Sequence, residues 1–328
     1  MANSQFSQSF RPAVGSAPGY QRQITLTVNG LWMFALLVGW LLPSVGEATT
    51  FKLTCTAKKT IQSFIPKLKP GDTLLVTGTC NENVVIPEQV HNVTLDGQGT
   101  ATINGPDTTR ATVQIRGDGI TMKGFTVSGG RQGILVTRNG AATIDDNAIN
   151  CGNTTLRGIV VNQNSSARIV NNTVENCVSD GILIGEGSSA RIGFLNVDDT
   201  TASPNTIQNN GEDGVHVLRS SDARVVGNTI QNNTGDGVAV RRASHADISS
   251  NIINGNGEDG IEIGGNSGVN LGSDSGDGIL DAANSTTVNN GGFGVRCVTN
   301  SSADGRLGSV NGGGGAKSFA GSCVDSLL

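Results

Sequence analysis

From Arg168 to Val269 the chain alternates short apolar pairs with polar turns, and the pattern repeats. RIVNNTVENCVSDGILIGEGSSA (168–190), RVVGNTIQNNTGDGVAVRRASHA (224–246) and DISSNIINGNGEDGIEIGGNSGV (247–269) align without gaps at a period of 23 residues. Within each segment the apolar residues recur at every second position, which is the spacing of strands with one buried face. The first strand of each coil follows a glycine, giving Ile134, Ile159, Ile182, Val215, Val238, Ile261 and Val295. The second begins at Ile144, Ile169, Ile192, Val225, Ile248 and Leu307, and the third at Ile149, Val174, Ile207, Ile230 and Ile253. Three short strands per coil of about 23 residues predict an all-β chain wound as a right-handed parallel β-helix.

The polar positions fit the same architecture. Asn147, Asn172, Asn205, Asn228 and Asn251 recur at one turn, where a short amide tolerates a bent backbone and can bond to its counterparts one coil away. They are predicted to stack in one line. Residues 58–68 carry Ile61, Phe64, Ile65 and Leu68 at helical spacing and stop at Pro70 and Gly71, so an N-terminal capping helix is expected over the first coil. Two insertions, 194–204 and 272–283, leave corresponding points after the second strand and should emerge along one edge.

Composition narrows the class. Aromatic residues make up only 4% of the 328 and glycines number 47, which suits a thin aliphatic core. The run LWMFALLVGWLL (31–42), preceded by Arg11 and Arg22 and followed by small residues up to Ala48, has the layout of a secretory signal. Residues 1–48 are therefore read as a leader and 49–328 as one β-helix domain, secreted, periplasmic or extracellular; an uncleaved anchor is the alternative. Removing Arg11, Arg22 and Glu47 from 22 basic and 27 acidic residues leaves 20 and 26. That balance argues against a nucleic-acid partner, and no membrane contact is expected after cleavage. The cysteines fall as Cys55 and Cys80, Cys151 and Cys177, Cys297 and Cys323, separated by 25, 26 and 26 residues, close to one coil each. Adjacent strands lie about 4.8 Å apart, within disulfide reach, so three disulfides between neighbouring coils are predicted.

The repeat, of the form NxIxxNxxxGIxV over roughly residues 50–328, resembles that of the pectin-lyase-like right-handed β-helix superfamily. The resemblance implies fold more than activity, because enzymes, adhesins and other proteins share the repeat. It also implies that the first-strand face commonly carries a substrate groove. That outward column reads Leu135, Val160, Leu183, His216, Ala239, Glu262 and Arg296, with Arg219, Arg241 and Arg242 adjoining. His216, Arg241, Glu262 and Arg296 are the candidate catalytic residues, able in principle to neutralise a uronate carboxylate and supply a base. A solvated, mixed-charge face is the plainer alternative. Family motifs that would decide are missing: the only tyrosine is Tyr20 in the leader, the histidines are His91, His216 and His245, and the Gly-His-Gly and Asp-Pro-His-Asp signatures do not occur.

Two further columns carry charge. Asp180, Asp213, Asp236 and Asp259 precede glycines, so stacked carboxylates must bind a cation such as calcium, shift their pKa or accept backbone hydrogen bonds. Asp-Gly is also a strong turn signal, and turn chemistry is the favoured reading. Asp213, Asp236, Asp259, Asp274 and Asp277 are the metal candidates, although the Asp198-Asp199 and Asp274–Asp281 loops match no complete oxygen-ligand spacing. Arg168, Arg191, Arg224 and Arg306 recur at second strands. With Arg219 and Arg242 the first three are the candidate binding residues for an anionic glycan, pairing with Glu186, Asp222 or Asp247 being the commoner outcome. The reading from sequence is an exported β-helix presenting a surface for carbohydrate or cell-surface contact without catalysis. The alternatives are a polysaccharide lyase or hydrolase acting on an acidic glycan, and a structural surface protein or adhesin.

Overall fold

The computed structural model describes residues 47–196, 198–272 and 281–328. These form an all-β parallel solenoid of about 12 turns at about 23 residues per turn. Each regular coil contributes one strand to each of three faces. The first face is a ten-stranded parallel sheet running from Val84–Ile86 to Gly315–Phe319. The second begins at Thr50–Thr54 and ends at Val324–Leu327. The third runs from Thr79–Asn81 to Ile252–Asn254. Asp274 and Asp277 lie outside the described residues, as do most of the second insertion and the run 31–42. Among the described residues no helix is long and apolar enough to cross a membrane.

Alternation sets the core. Val217, Val240 and Ile263 on the first face, Ile192, Val225 and Ile248 on the second, and Ile207, Ile230 and Ile253 on the third are all fully buried. Each such side chain contributes about 1.5–3 kcal/mol by leaving water. The coils approach closely where the first strand begins. A Cβ on Gly237 would sit 2.6 Å from the Gly260 carbonyl oxygen and 2.6 Å from the Ile253 methyl, so that position admits only glycine.

Buried amides line the turns. Asn147, Asn172, Asn205, Asn228 and Asn251 form one ladder, each side-chain Nδ2 donating to the next Oδ1 at 2.8–3.1 Å and continuing to Asn284. A second ladder, Asn210, Asn233, Asn256 and Asn290, runs along the turn into the first face. Along the third turn the Ser188, Ser221, Ser244, Ser267 and Ser301 hydroxyls each accept a backbone N–H from a serine one coil earlier. The three disulfides join Cys55 to Cys80, Cys151 to Cys177 and Cys297 to Cys323, with Cα separations of 5.1, 4.6 and 6.1 Å.

Two expectations need correction. The helix is shorter than 58–68: an α-turn at Ile61–Phe64 is followed by a 3-10 turn at Ile65–Lys67. Thr60 caps the start with its side chain, and Pro66 has no amide to continue the α-helical ladder. Leu307 does not begin a second strand either. In the register of that face, Leu271 pairs with Gly305 and Asn270 with Asp304, so Arg306 falls beyond the strand and donates to the Gly272 carbonyl at 2.9 Å.

Candidate functional site

On the first face the outward column is in register: Leu183 faces His216, His216 faces Ala239, Ala239 faces Glu262 and Glu262 faces Arg296 on successive strands. The structure joins this column to the aspartates that precede the glycines. One oxygen each of Asp213, Asp236 and Asp259 accepts a backbone N–H from the next coil, Asp236 N to Asp213 Oδ1 at 2.9 Å, Asp259 N to Asp236 Oδ1 at 2.8 Å and Phe293 N to Asp259 Oδ1 at 2.6 Å. The other oxygen faces the charged side chains. His216 Nδ1 lies 3.3 Å from Asp180 Oδ1 and 3.2 Å from Asp213 Oδ2. Arg157 Nε bonds Asp180 at 2.7 Å, and Arg296 reaches Asp259 at 3.6 Å.

Arg241 is the centre of this network. Its guanidinium contacts Asp213 at 3.2 Å, Asp236 at 2.7 Å and Glu262 at 2.6 Å. Burial disfavours its charge, but those carboxylates outweigh burial and raise its pKa. Burial, then the negative charge of Asp213 and Glu262, push the Asp236 carboxyl up to about 9. Asp213 is also raised by burial, against the pull of His216 and Arg241. Burial opposes ionisation of Asp180 and Glu262 as well. Hydrogen bonds from His216 and Arg157 reverse it at Asp180, as the Arg241 hydrogen bond does at Glu262, and both stay below the ordinary carboxylate range. Asp236, pushed toward its protonated form, and Glu262, held toward its ionised form, thus share the Arg241 guanidinium.

Donor atoms of Asp180, Asp213 and His216, and separately of Asp236, Asp259 and Glu262, lie within 4.8 Å of one another, a spacing compatible with a metal ion. Arg241 places one positive charge among the carboxyl groups of Asp213, Asp236 and Glu262. Arg219 and Arg242 occupy left-handed turn positions at φ 58° and 60° and line a smaller cleft of about 340 Å³ beside Asp180 and His216. Arg219 pairs with Glu186 at 3.7 Å, both half exposed, an ion pair that contributes little to stability.

The second face carries a larger cleft of about 540 Å³, lined by Thr143, Ser166, Arg168, Ser189, Arg191, Asp222, Arg224, His245 and Asp247 among others. Arg168, Arg191 and Arg224 sit directly opposite one another on three consecutive strands, and Asp247 follows Arg224. The expected ion pairing does not occur at the first two. Among the described residues no carboxylate lies within ion-pair distance of Arg168 or Arg191. Arg168 Nε and Arg191 Nη1 instead donate to one backbone carbonyl, that of Leu195, at 3.0 Å each. The Phe194 ring, buried to 1% exposure, stands 5.7 Å from the Arg191 guanidinium and 4.6 Å from that of Arg224. Burial lowers the Arg224 pKa, countered by the charges of Asp247 and Asp281. The roles of Phe194 and Leu195 were not readable from sequence, because an insertion has no register to reason from.

A coil of three parallel strands with asparagine ladders at its turns defines a β-helix. The chain belongs to the right-handed β-helix family, whose model matches residues 74–198 and 157–310. Among solved structures, a pectate lyase, Pel9A, superposes with a TM-score of 0.53 at 15% identity, over 82% of this chain and 81% of that one. The enzymatically active domain of tailspike protein 2 from bacteriophage CBA120 gives 0.50 at 15% identity, over 81% of this chain and 43% of that one. An alginate lyase from a Paenibacillus species gives 0.49 at 15% identity, over 85% and 98%. These likenesses are ones of fold, of the pectin-lyase-like type. No curated protein matches the sequence.

Proposed function

We propose that this protein is an exported, disulfide-tied β-helix that binds an acidic glycan in the cleft of its second face. One observation carries the reading: Arg168, Arg191 and Arg224 are stacked in register along the cleft, and among the described residues the first two have a neutral carbonyl as their hydrogen-bond partner. Guanidinium groups at strand spacing repel by about 1–3 kcal/mol, depending on how far water screens them. A polyanion with one negative group per coil relieves that repulsion and gains a charge-assisted hydrogen bond at each arginine. The pectate lyase name carried by a protein of similar fold agrees with a carbohydrate partner. Three disulfides fit an oxidising compartment. Within the same reading the Ile61–Phe64 helix closes the stack, since Gln62 pairs with the Val85 backbone in place of a further strand.

A second reading rests on the first face. Asp236 and Glu262 both contact Arg241, at 2.7 and 2.6 Å, and burial with the neighbouring acids pushes the first carboxyl up while Arg241 holds the second down, a pairing of the kind general acid and base catalysis of glycan cleavage uses. The binding reading is favoured because Arg241 and His216 are already held by carboxylates, whereas among the described residues no carboxylate lies within ion-pair distance of Arg168 or Arg191.

Calorimetric titration of the purified protein with polygalacturonate, alginate, dextran sulfate and neutral dextran tests this. At least one polyanion should bind, more weakly at higher salt, while neutral dextran should not. Replacing Arg168 and Arg191 together by alanine should weaken binding about tenfold or more. Equal binding of neutral dextran, or an unaffected double variant, would overturn the proposal. Release of unsaturated or reducing ends that is lost in Glu262→Gln would establish the enzyme reading instead.

A further inference from the structure

We infer that the loop inserted after Ile192 is a positioning device for the arginine row, with Phe194 and the Leu195 carbonyl as its working groups. The inference rests on the glycan reading above and says how that cleft is kept ready for its ligand. An arginine on an exposed sheet is a long, mobile cation, and fixing it ordinarily means pairing it with a carboxylate that also cancels its charge. At Arg168 and Arg191 the fixing group is neutral. The Leu195 carbonyl accepts from both Arg168 Nε and Arg191 Nη1, tying two successive coils to one oxygen. The Phe194 ring offers its π-electrons to Arg191 and Arg224, so the same loop reaches all three members of the row.

The loop is itself built to hold that geometry. The Asn ladder advances by 33 residues between Asn172 and Asn205 and by 23 between Asn205 and Asn228, so the coil carries ten additional residues there. Asp199 Oδ2 accepts the Leu195 and Asn196 amides at 2.8 Å each, which aims the Leu195 carbonyl toward the arginines. Ser203 N donates to the Gly193 carbonyl at 2.7 Å and closes the base of the loop. Phe194 is buried and does not line the cleft, so its part is to set guanidinium orientation rather than to touch the ligand.

Titrations with polygalacturonate and with dextran sulfate, which present carboxylate and sulfate respectively, test the inference on wild type, Phe194→Leu, Phe194→Tyr and Arg191→Ala. Phe194→Leu keeps an apolar side chain in the pocket but removes the π face. It should weaken binding about threefold to tenfold with the salt dependence unchanged, since no cation is lost. Phe194→Tyr, which restores the face, should bind within about twofold of wild type. Arg191→Ala should lose affinity and also flatten the salt dependence. Wild-type binding by Phe194→Leu alongside a defective Arg191→Ala would overturn the positioning role and leave the glycan reading standing. Phe194→Tyr as weak as Phe194→Leu would overturn it too. Failure of these two polymers and of alginate to bind wild type, or wild-type binding by Arg191→Ala, would overturn both. A thermal melt of each variant separates a lost contact from a lost coil: a midpoint shared with wild type ties a binding defect to the cleft, and a Phe194→Leu defect accompanied by unfolding overturns the positioning role.

Discussion

Arg241 donates from Nη2 to Asp236 Oδ2 at 2.7 Å, and that carboxyl is completely buried. The pair sits beneath a surface whose other acids, Asp213 and Glu262, contact the same guanidinium. Breaking such a network from the cationic side strands several acids in a poorly solvated place. Arg241→Ala should therefore destabilise the protein by about 3–5 kcal/mol, far more than an exposed ion pair such as Arg219 with Glu186, whose removal should cost about 0–1 kcal/mol. Urea denaturation of the two variants measures the contrast. Equal, small effects would mean that the carboxylates relax into solvent.

The titration of Asp236 gives a pH dependence of definite sign. Its carboxyl ordinarily titrates at 3.8 and in the folded chain at about 9. Between those values the folded protein holds a proton that the unfolded chain has released, so this group's contribution is complete at low pH and is lost as pH rises toward about 9. Asp180 and Glu262 act oppositely, supporting the fold above the ordinary carboxylate range and losing that effect as pH falls through their lowered pKa values. Asp236→Asn removes the first effect while keeping an acceptor for the Asp259 amide. Its denaturation midpoint should vary less between about pH 5 and about pH 9 than wild type, whose stability falls by at most about 1.4 kcal/mol per unit from this group. An unchanged slope would show that another group carries it.

The asparagine ladder should behave as structure rather than as decoration. Asn228 Nδ2 donates to Asn251, to the Ile192 carbonyl and to the Val226 carbonyl, while its Oδ1 accepts two hydrogen bonds from Asn205. Asn228→Ala leaves several buried partners unsatisfied at about 1–3 kcal/mol each, so a loss of about 3 kcal/mol or more is expected. Gln231→Ala, on the same coil, breaks one surface hydrogen bond to Gln208 and should cost under about 1 kcal/mol. Comparable losses in the two variants, read by thermal melting, would argue that the ladder is incidental.

How much of this was legible follows from which residues alternate and which reach. Inward valines and isoleucines repeat at period two within a period of 23, so strands and coils could be read directly, as could the cysteines one coil apart. The first asparagine ladder stood out because each member follows its strand at a fixed distance. The second was masked, since Asn210 and Asn233 each follow another asparagine and only one residue of the pair turns inward. Charge was read least well. His216 and Arg241 were assigned to one column and Asp213 and Asp236 to another, because the sequence shows where a Cα lies and not where a long side chain ends. Arg241 reaches back one coil to Asp213, 28 residues away, and forward to Glu262, 21 residues away. The expected pairing of Arg168 and Arg191 with acids failed for a related reason: their partner is a main-chain carbonyl in an insertion, which no pattern of side chains announces.

The glycines that open the first strand sit where successive coils touch. Asp-Gly is a turn signal, yet Gly214, Gly237 and Gly260 do not take left-handed positions, so turn geometry is not what demands them. Contact does. A Cβ on Gly237 meets the Gly260 carbonyl oxygen and the Ile253 methyl at 2.6 Å each and Asn256 Nδ2 at 2.9 Å, two of them backbone or ladder groups that cannot move without shifting a coil. Gly237→Ala should accordingly cost about 3 kcal/mol or more, through strain passed to the coil of Gly260. Gly321→Ala, where no atom lies within 4 Å of the added carbon, should change the unfolding midpoint little. A Gly237→Ala protein as stable as wild type would mean that the coils can separate at that corner, and the close approach that fixes the register of His216, Glu262 and Arg296 would then not depend on glycine.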